Sequence, residues 1–268
     1  MSGPVLLVGC GKMGGAMLEG WLARSMLAQG AHLVEPSDAA VAGFRGRSGV
    51  TIHRRIEDLP RDLAPEIVVL AVKPQTMDAV LPGLARFRAA TFLSIAAGKR
   101  IEGLSGALGG AAVVRSMPNT PSAVGRGMTV AVAGPGVSET AKKRCDELLS
   151  AVGEVAWVED EALIDPVTAV SGGGPAYVFL LIEALAAAGE KAGLPADLAM
   201  RLARVTVSGS GELARLSPEP AAQLRRNVTS PGGTTLEALK VLMAEDGIQP
   251  IFDRAIAEAT RRAKELGQ

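Results

Sequence analysis

Two histidines, His32 and His53, and two cysteines, Cys10 and Cys145, are all that this 268-residue chain offers a transition metal. None of them stand at ligand spacing, so neither a metal site nor a disulfide framework is expected. Charge of one sign is missing as well, because 28 basic side chains meet 28 acidic ones without a long block of either. That removes the electrostatic footprint of a nucleic-acid binder. The longest wholly apolar run, residues 176–182, is too short to cross a bilayer, and the chain goes directly into a strand-like segment without a basic n-region and cleavage site. A cytoplasmic protein with no membrane or nucleic-acid partner is the expectation. With 48% hydrophobic residues the chain can bury a core, and its length suits one or two domains.

What the chain does have begins at its first strand. Pro4-Val5-Leu6-Leu7-Val8 is apolar and β-branched, Gly9-Cys10-Gly11-Lys12-Met13-Gly14 follows as G-x-G-x-x-G, and a helical segment over 16–28 comes next. Strand, glycine turn and helix together make a dinucleotide-binding fingerprint. Gly9 would make the tight turn, Gly11 would let the backbone meet a pyrophosphate, and Gly14 would allow close helix-to-strand packing. The second strand, 31–35, ends at Glu35-Pro36-Ser37-Asp38. An acidic residue there hydrogen-bonds the adenosine ribose of NAD and repels the extra phosphate of NADP. A solvated loop carboxylate is the alternative reading of Glu35, and Arg45 and Arg47 downstream could instead meet a 2′-phosphate.

Further apolar strands over 66–72, 91–96 and 112–115 end at Ala71-Val72-Lys73-Pro74, Ala97-Gly98 and Met117-Pro118-Asn119-Thr120. Alternating with helical segments, they predict a Rossmann-like, doubly wound α/β sheet whose ligands sit at the carboxyl ends of the strands. Two more strands are expected at 127–134 and 154–158, with a helix over 140–150 between them.

After about Asp160 strand-like runs stop. Alanine-rich segments of helical period take over at 177–192, 197–216, after Thr234 and at 250–266. The chain thus divides into a dinucleotide-binding domain, 1–160, and an all-helical domain, 161–268. Short helices with small faces enclose little core by themselves, so the second domain is expected to dimerise and to bind substrate.

Within that second half, Ser230-Pro231-Gly232-Gly233-Thr234-Thr235-Leu236-Glu237 combines a glycine pair with the S/T-x-x-E spacing of a capping box, predicting a helix from Thr234. Free amides at a helix start favour an anion such as a carboxylate, and the hydroxyls of Ser230, Thr234 and Thr235 surround that point. An ordinary glycine-rich helix entry is the plainer reading. The helical half has no histidine to serve as a base, and Lys191 and Lys240 read more simply as exposed helix residues. Reduction of an electrophilic C=N bond requires less than oxidation of an alcohol, and a hydroxyl-rich, anion-friendly helix entry suits a cyclic imino acid.

Taken in order, the segments 8–14, 71–74, 94–98, 117–121, 171–177 and 230–235 resemble those of the pyrroline-5-carboxylate reductase family over essentially the whole chain. The resemblance implies reduction of 1-pyrroline-5-carboxylate to L-proline by NADPH or NADH, in a homodimer or a higher homo-oligomer of dimers. It implies that the loop from Ser230 to Thr235, including Gly232, Gly233 and Thr234, holds the substrate carboxylate. It further implies that the Thr235 hydroxyl bonds the imine nitrogen, that Asn119 binds substrate as well as cofactor, and that Asn119 and Ala97-Gly98 stand beside the nicotinamide. Gly9, Gly11, Lys12, Met13, Gly14, Glu35, Ser37, Ala71, Val72, Lys73 and Pro74 complete the implied cofactor set. Two departures stand out: Arg226, where many members have an acidic residue, and Glu35, where many have a small polar or uncharged one. A reductase of another imine or ketone, or a dinucleotide-binding sensor without turnover, are the competing classes.

Overall fold

The computed structural model describes residues 3–267. Its strands are β1 (Val5–Val8), β2 (Ala31–Val34), β3 (Val50–His53), β4 (Ile67–Leu70), β5 (Thr91–Ser94), β6 (Val113–Met117), β7 (Gly127–Ala133) and β8 (Gly153–Val158). They form one sheet in the order β3-β2-β1-β4-β5-β6-β7-β8. Pairing is parallel from β3 to β6, antiparallel between β6 and β7, and parallel again between β7 and β8. The helices that accompany them are α1 (Lys12–Ala23), α2 (Asp38–Val41), α3 (Pro74–Leu84), α4 (Ile101–Ala107), α5 (Glu139–Ser150) and α6 (Ile164–Val167).

β1, β4 and β5 are buried at every position, as apolar strands covered on both faces must be. Their side chains alternate between two cores. Leu6, Val8, Val68, Leu70 and Phe92 pack with Met77 and Leu81 of α3 and Leu104 of α4. Val5, Leu7, Leu33, Val69 and Leu93 pack with Met17 and Trp21 of α1 and Leu148 of α5. Trp21 Nε1 also donates to the Leu148 carbonyl at 2.8 Å, so the indole is satisfied where it is buried. Strand order departs in two directions from β1, and the crevice between the carboxyl ends of β1 and β4 is the switch point at which such sheets bind ligands.

One expectation needs correction, and two features of the sheet go beyond the sequence reading. α1 starts at Lys12, directly on the glycine turn, and not at residue 16. β3 is a strand that the apolar pattern did not reveal. β7 runs against β6, so the sheet is mixed; the connection over 118–126 is too short for the crossover that parallel pairing requires.

By contact the chain forms two compact units, one running to Gly172 and including the chain from Ala259, the other Gly173–Glu258. A π-helical turn, Thr168–Gly172, follows α6. The later helices are α7 (Gly174–Lys191), α8 (Ala196–Leu216), α9 (Ala221–Asn227), α10 (Thr234–Leu242) and α11 (Ile248–Leu266). α7 and α8 approach closely through small residues: a Cβ on Gly189 would stand 3.3 Å from the Ala199 Cβ. Ala186, Ala199 and Ala203 are buried there, whereas Phe179 is 59%, Leu180 62% and Val205 64% exposed in the single chain. This apolar surface is larger than a solvated monomer tolerates. Joined through the π turn, Glu161–Lys191 is one helical run containing an 18-residue stretch of mean hydropathy 1.4, long and apolar enough to cross a membrane by length and composition alone. Unbroken apolar runs in the sequence do not show this, because polar residues and glycines punctuate the segment.

Candidate active site

At the carboxyl end of β1 the backbone turns at Gly9, whose φ of 97° is open to glycine but costly for other residues. A side chain there would also meet the Ala71 carbonyl oxygen at 2.7 Å. Gly14 is equally constrained, since a Cβ would stand 2.4 Å from the Gly9 oxygen and 3.1 Å from the Ala71 Cβ. Gly11 is the opposite case: nothing lies within 4 Å of the Cβ it lacks. It is the N-cap of α1 and makes no side-chain cap, so the amides of Lys12, Met13 and Gly14 have no intrahelical acceptor. A tight turn, an open glycine and an uncapped helix start form the cradle that a pyrophosphate requires, and these residues fit a dinucleotide.

Glu35 follows β2 immediately. Its Oε2 accepts from the Cys10 N–H at 2.8 Å and its Oε1 from the Ser37 N–H at 2.9 Å. The Ser37 hydroxyl in turn caps α2 by accepting from Ala40 N–H at 3.3 Å. Arg45 is ion-paired with Asp38, and Arg54 reaches the other oxygen of the same carboxylate at 2.5 Å. Arg47 instead pairs with Glu19 of α1 at 3.5 Å. Arg54 was not visible as a candidate in the sequence; recognising β3 would have placed it beside the end of β2.

Beyond β4, Ala71 and Val72 lead to Lys73, the exposed N-cap of α3, with Pro74 in the first turn. Thr76 Oγ1 donates to the Lys73 carbonyl at 2.9 Å and closes that turn. Beyond β5, Gly98 has φ +71°, and a Cβ on it would stand 2.9 Å from the Leu266 carbonyl oxygen. Arg100 Nε donates to the Gly267 carbonyl at 3.1 Å, so the last turn of α11 lies on this loop. Beyond β6, the Asn119 amide faces protein groups: Nδ2 donates to the Ser171 carbonyl at 3.3 Å and its hydroxyl at 3.2 Å, and Oδ1 accepts from Met128 N–H at 2.9 Å.

In the helical unit α10 does begin at Thr234, but Gly233 is the N-cap and the capping box does not form. Glu237 pairs with Lys240 at 2.8 Å instead. Gly232 has φ +69°, which favours glycine, and a Cβ on Gly233 would meet the Ser230 hydroxyl oxygen at 2.5 Å, so the turn is tight at both positions. Ser230, Thr234 and Thr235 are exposed, and among the described residues none of their hydroxyls has a hydrogen-bond partner. The helix start therefore presents uncapped amides and free hydroxyls together. Arg226 turns back along α9, donating through Nη2 to Gln223 Oε1 at 2.6 Å.

Neither cysteine competes as a nucleophile with this arrangement. Burial, and secondarily the Glu35 charge, pushes the Cys10 thiol up to about 11, while burial pushes Cys145 up to about 12. Both stay protonated and unreactive at neutral pH. Among the described residues no group of His, Cys, Asp and Glu could hold a metal.

Residues 161–266 match the family model described as pyrroline-5-carboxylate reductase dimerisation, and residues 4–98 match NADP oxidoreductase, coenzyme F420-dependent. The first range contains the apolar run Glu161–Lys191, so that run lies within the matched dimerisation region. The chain is 39% identical over 272 residues to pyrroline-5-carboxylate reductase of Pseudomonas aeruginosa, covering 100% of this chain and 98% of that one. It superposes on the Coxiella burnetii pyrroline-5-carboxylate reductase with a TM-score of 0.90 at 33% identity, covering all of both chains. It also superposes on the Plasmodium falciparum pyrroline carboxylate reductase, solved with NADP bound, with a TM-score of 0.81 at 30% identity, covering 99% of this chain and 98% of that one. A glycine cradle at the switch point of the sheet, a helical half shaped for self-association and likeness along the full length make the chain a member of the pyrroline-5-carboxylate reductase family.

Proposed function

We infer that this protein works as its family does, reducing 1-pyrroline-5-carboxylate to L-proline with hydride from NADPH or NADH, as a homo-oligomer in the cytoplasm. The observation that carries the reading is the full-length kinship, 39% over the whole chain, in a sequence that keeps the Ser230–Thr235 helix entry intact. When bound, the reduced nicotinamide supplies the hydride; everything else falls to the chain.

The two halves take separate tasks, with 1–160 holding the dinucleotide and 161–268 joining subunits and holding substrate. Gly9, Gly11, Lys12, Met13 and Gly14 receive the pyrophosphate, because an uncapped helix start stabilises anionic oxygens. Glu35 and Ser37 meet the adenosine ribose. Ala71, Val72, Lys73, Pro74, Ala97 and Gly98 line the remaining strand ends.

Substrate recognition lies with α10. Amides of its first turn and the Ser230 hydroxyl hold the carboxylate, and Gly232 and Gly233 let the backbone come close. Thr235 is the catalytic residue: its hydroxyl hydrogen-bonds the ring nitrogen, fixing the imine carbon in orientation and keeping a proton donor at the atom that gains electron density. No strong base is needed, since hydride adds to the imine carbon while the nitrogen takes its proton from the side of this hydroxyl and solvent.

The test is oxidation of NADPH and NADH by the purified protein with 1-pyrroline-5-carboxylate, beside a panel of other cyclic imines and ketones. Turnover specific to the five-membered imino acid is expected. A folded oligomer that leaves both cofactors unoxidised, or that prefers a ketone, would overturn the reading.

A further inference from the structure

We infer that Asn119 is a positioning residue for hydride transfer and not a ligand of the substrate, acting as a clamp between the carboxyl end of β6 and the π-helical turn that ends in Ser171-Gly172. This rests on reading the strand ends of the sheet as the nicotinamide side of the site.

Asn119 occupies the N-cap of a 3₁₀ turn, Thr120–Val124, where an asparagine ordinarily bonds the amides ahead of it. It makes no such cap. Its side chain turns away instead: Nδ2 donates to the Ser171 carbonyl at 3.3 Å and hydroxyl at 3.2 Å, and Oδ1 takes the Met128 N–H at 2.9 Å. Donor and acceptor ends of the amide are thus both engaged by protein groups.

A second contact, independent of these bonds, joins the same two segments. A Cβ on Gly172 would stand 2.5 Å from the Met117 Cε, so the π turn lies directly against the residue two positions before Asn119. Thr168 Oγ1 donates to the Ile164 carbonyl at 2.7 Å at the entry to that turn. Wide π turns are uncommon and concentrate at functional sites, because they place groups that a regular helix would carry elsewhere. Here the turn delivers Ser171 to Asn119. The end of β6 at Met117, with Pro118 after it, is thereby held by the clamp, giving the strand end a fixed backbone against which a nicotinamide ring can be oriented.

Kinetics of the full-length enzyme separate this role from its alternatives. Asn119→Ala should lower kcat about tenfold or more, because orientation is what the clamp supplies. It should raise the primary isotope effect from 4-deuterated NADPH and leave the NADPH Kd, read by fluorescence titration, within about twofold of wild type, since the pyrophosphate and adenosine contacts are untouched. Ser171→Ala should act in the same sense by about threefold, Ser171→Thr should restore kcat, and the double variant should be no slower than Asn119→Ala alone. A slow Asn119→Ala beside a silent Ser171→Ala would make Asn119 a direct ligand and overturn the clamp. So would multiplicative losses in the double variant, or variants that lower Tm while keeping wild-type kcat and isotope effect. Should Asn119→Ala not fold, the Ser171→Ala and Ser171→Thr pair decides alone. A wild type that fails to reduce 1-pyrroline-5-carboxylate overturns the functional reading and the clamp together; a working wild type with silent variants overturns the clamp only.

Discussion

Glu35 and Cys10 are joined by a 2.8 Å hydrogen bond in which the carboxylate at the end of β2 accepts from a backbone amide of the glycine turn. On the proposed reading, the side chain that meets the adenosine ribose also holds the turn that receives the pyrophosphate, and its charge would face a 2′-phosphate. A like charge a few ångströms away costs about 1 kcal/mol in solvent-exposed surroundings. Wild-type enzyme should consequently accept NADH at least comparably to NADPH. Glu35→Gln keeps the acceptor for Cys10 and removes the charge, so the NADPH-to-NADH ratio of kcat/KM should rise about fivefold. A ratio that does not move would show that the charge is not felt at that position.

Arg54 tests the opposing contribution. With Arg45 it shares Asp38, and either guanidinium could turn from that carboxylate to a phosphate. A charge-assisted hydrogen bond contributes about 1.5–3 kcal/mol, so Arg54→Ala should lower kcat/KM for NADPH on the order of tenfold or more and leave NADH nearly unchanged. Equal losses with both cofactors would mean that Arg54 merely supports the β3 edge.

Thr235 is the point at which a single hydroxyl can be removed without changing shape. Thr235→Val should fold and bind cofactor normally while kcat/KM falls roughly ten- to a hundredfold, the size of one lost donor of about 1–3 kcal/mol. Ser230→Ala should act mainly through KM, because a carboxylate contact serves ground and transition states alike. Well-folded Thr235→Val with wild-type kcat/KM would remove Thr235 from the mechanism.

Phe179 and Val205, 59% and 64% exposed in one subunit, should be covered in the oligomer. Light scattering should show a dimer or a multiple of it at low micromolar concentration, and Phe179→Asp should yield monomer or aggregate with loss of activity. A stable, active full-length monomer would refute the interface.

The His32–His53 pair gives the fold a pH dependence. The rings stack, and Nδ1 of His32 stands 2.9 Å from Nε2 of His53. Burial, and then the neighbouring imidazole, holds His32 below its ordinary value of 6.5. A lowered histidine is bound less readily by protons in the folded state than in the unfolded, so its contribution is complete above that ordinary value and is lost as pH falls below it. Tm should drop as pH is lowered from about 7 toward 5, and His32→Gln should flatten that slope. An unchanged slope would assign the acid sensitivity to carboxylates.

Much of the first half was legible because parallel strands are buried on both faces and leave unbroken runs such as Ile67–Leu70. β3 left no such mark: Val50–His53 is an edge strand with one exposed and three half-buried positions, so its apolar pattern is faint. The glycine turn was legible position by position, since Gly9 and Gly14 answer to steric limits that composition reveals. At Thr234 the spacing to Glu237 suggested a capping box, yet the chain enters extended through Gly233 and Glu237 finds Lys240. Asn119 shows the deeper limit, for a motif locates a residue but does not tell which way its amide turns.

Leu266 and Gly267 rest on the Gly98 loop and on Arg100, and so the last turn of α11 stands at the carboxyl end of β5. For anyone producing the protein, this makes the choice of fusion end a biochemical decision. A purification handle appended at the C-terminal end would follow closely on residues packed against the Gly98 loop, and kinetic constants from such material should be compared with those of untagged protein. A handle placed ahead of β1 enters at the opposite rim of the sheet and leaves that mouth clear.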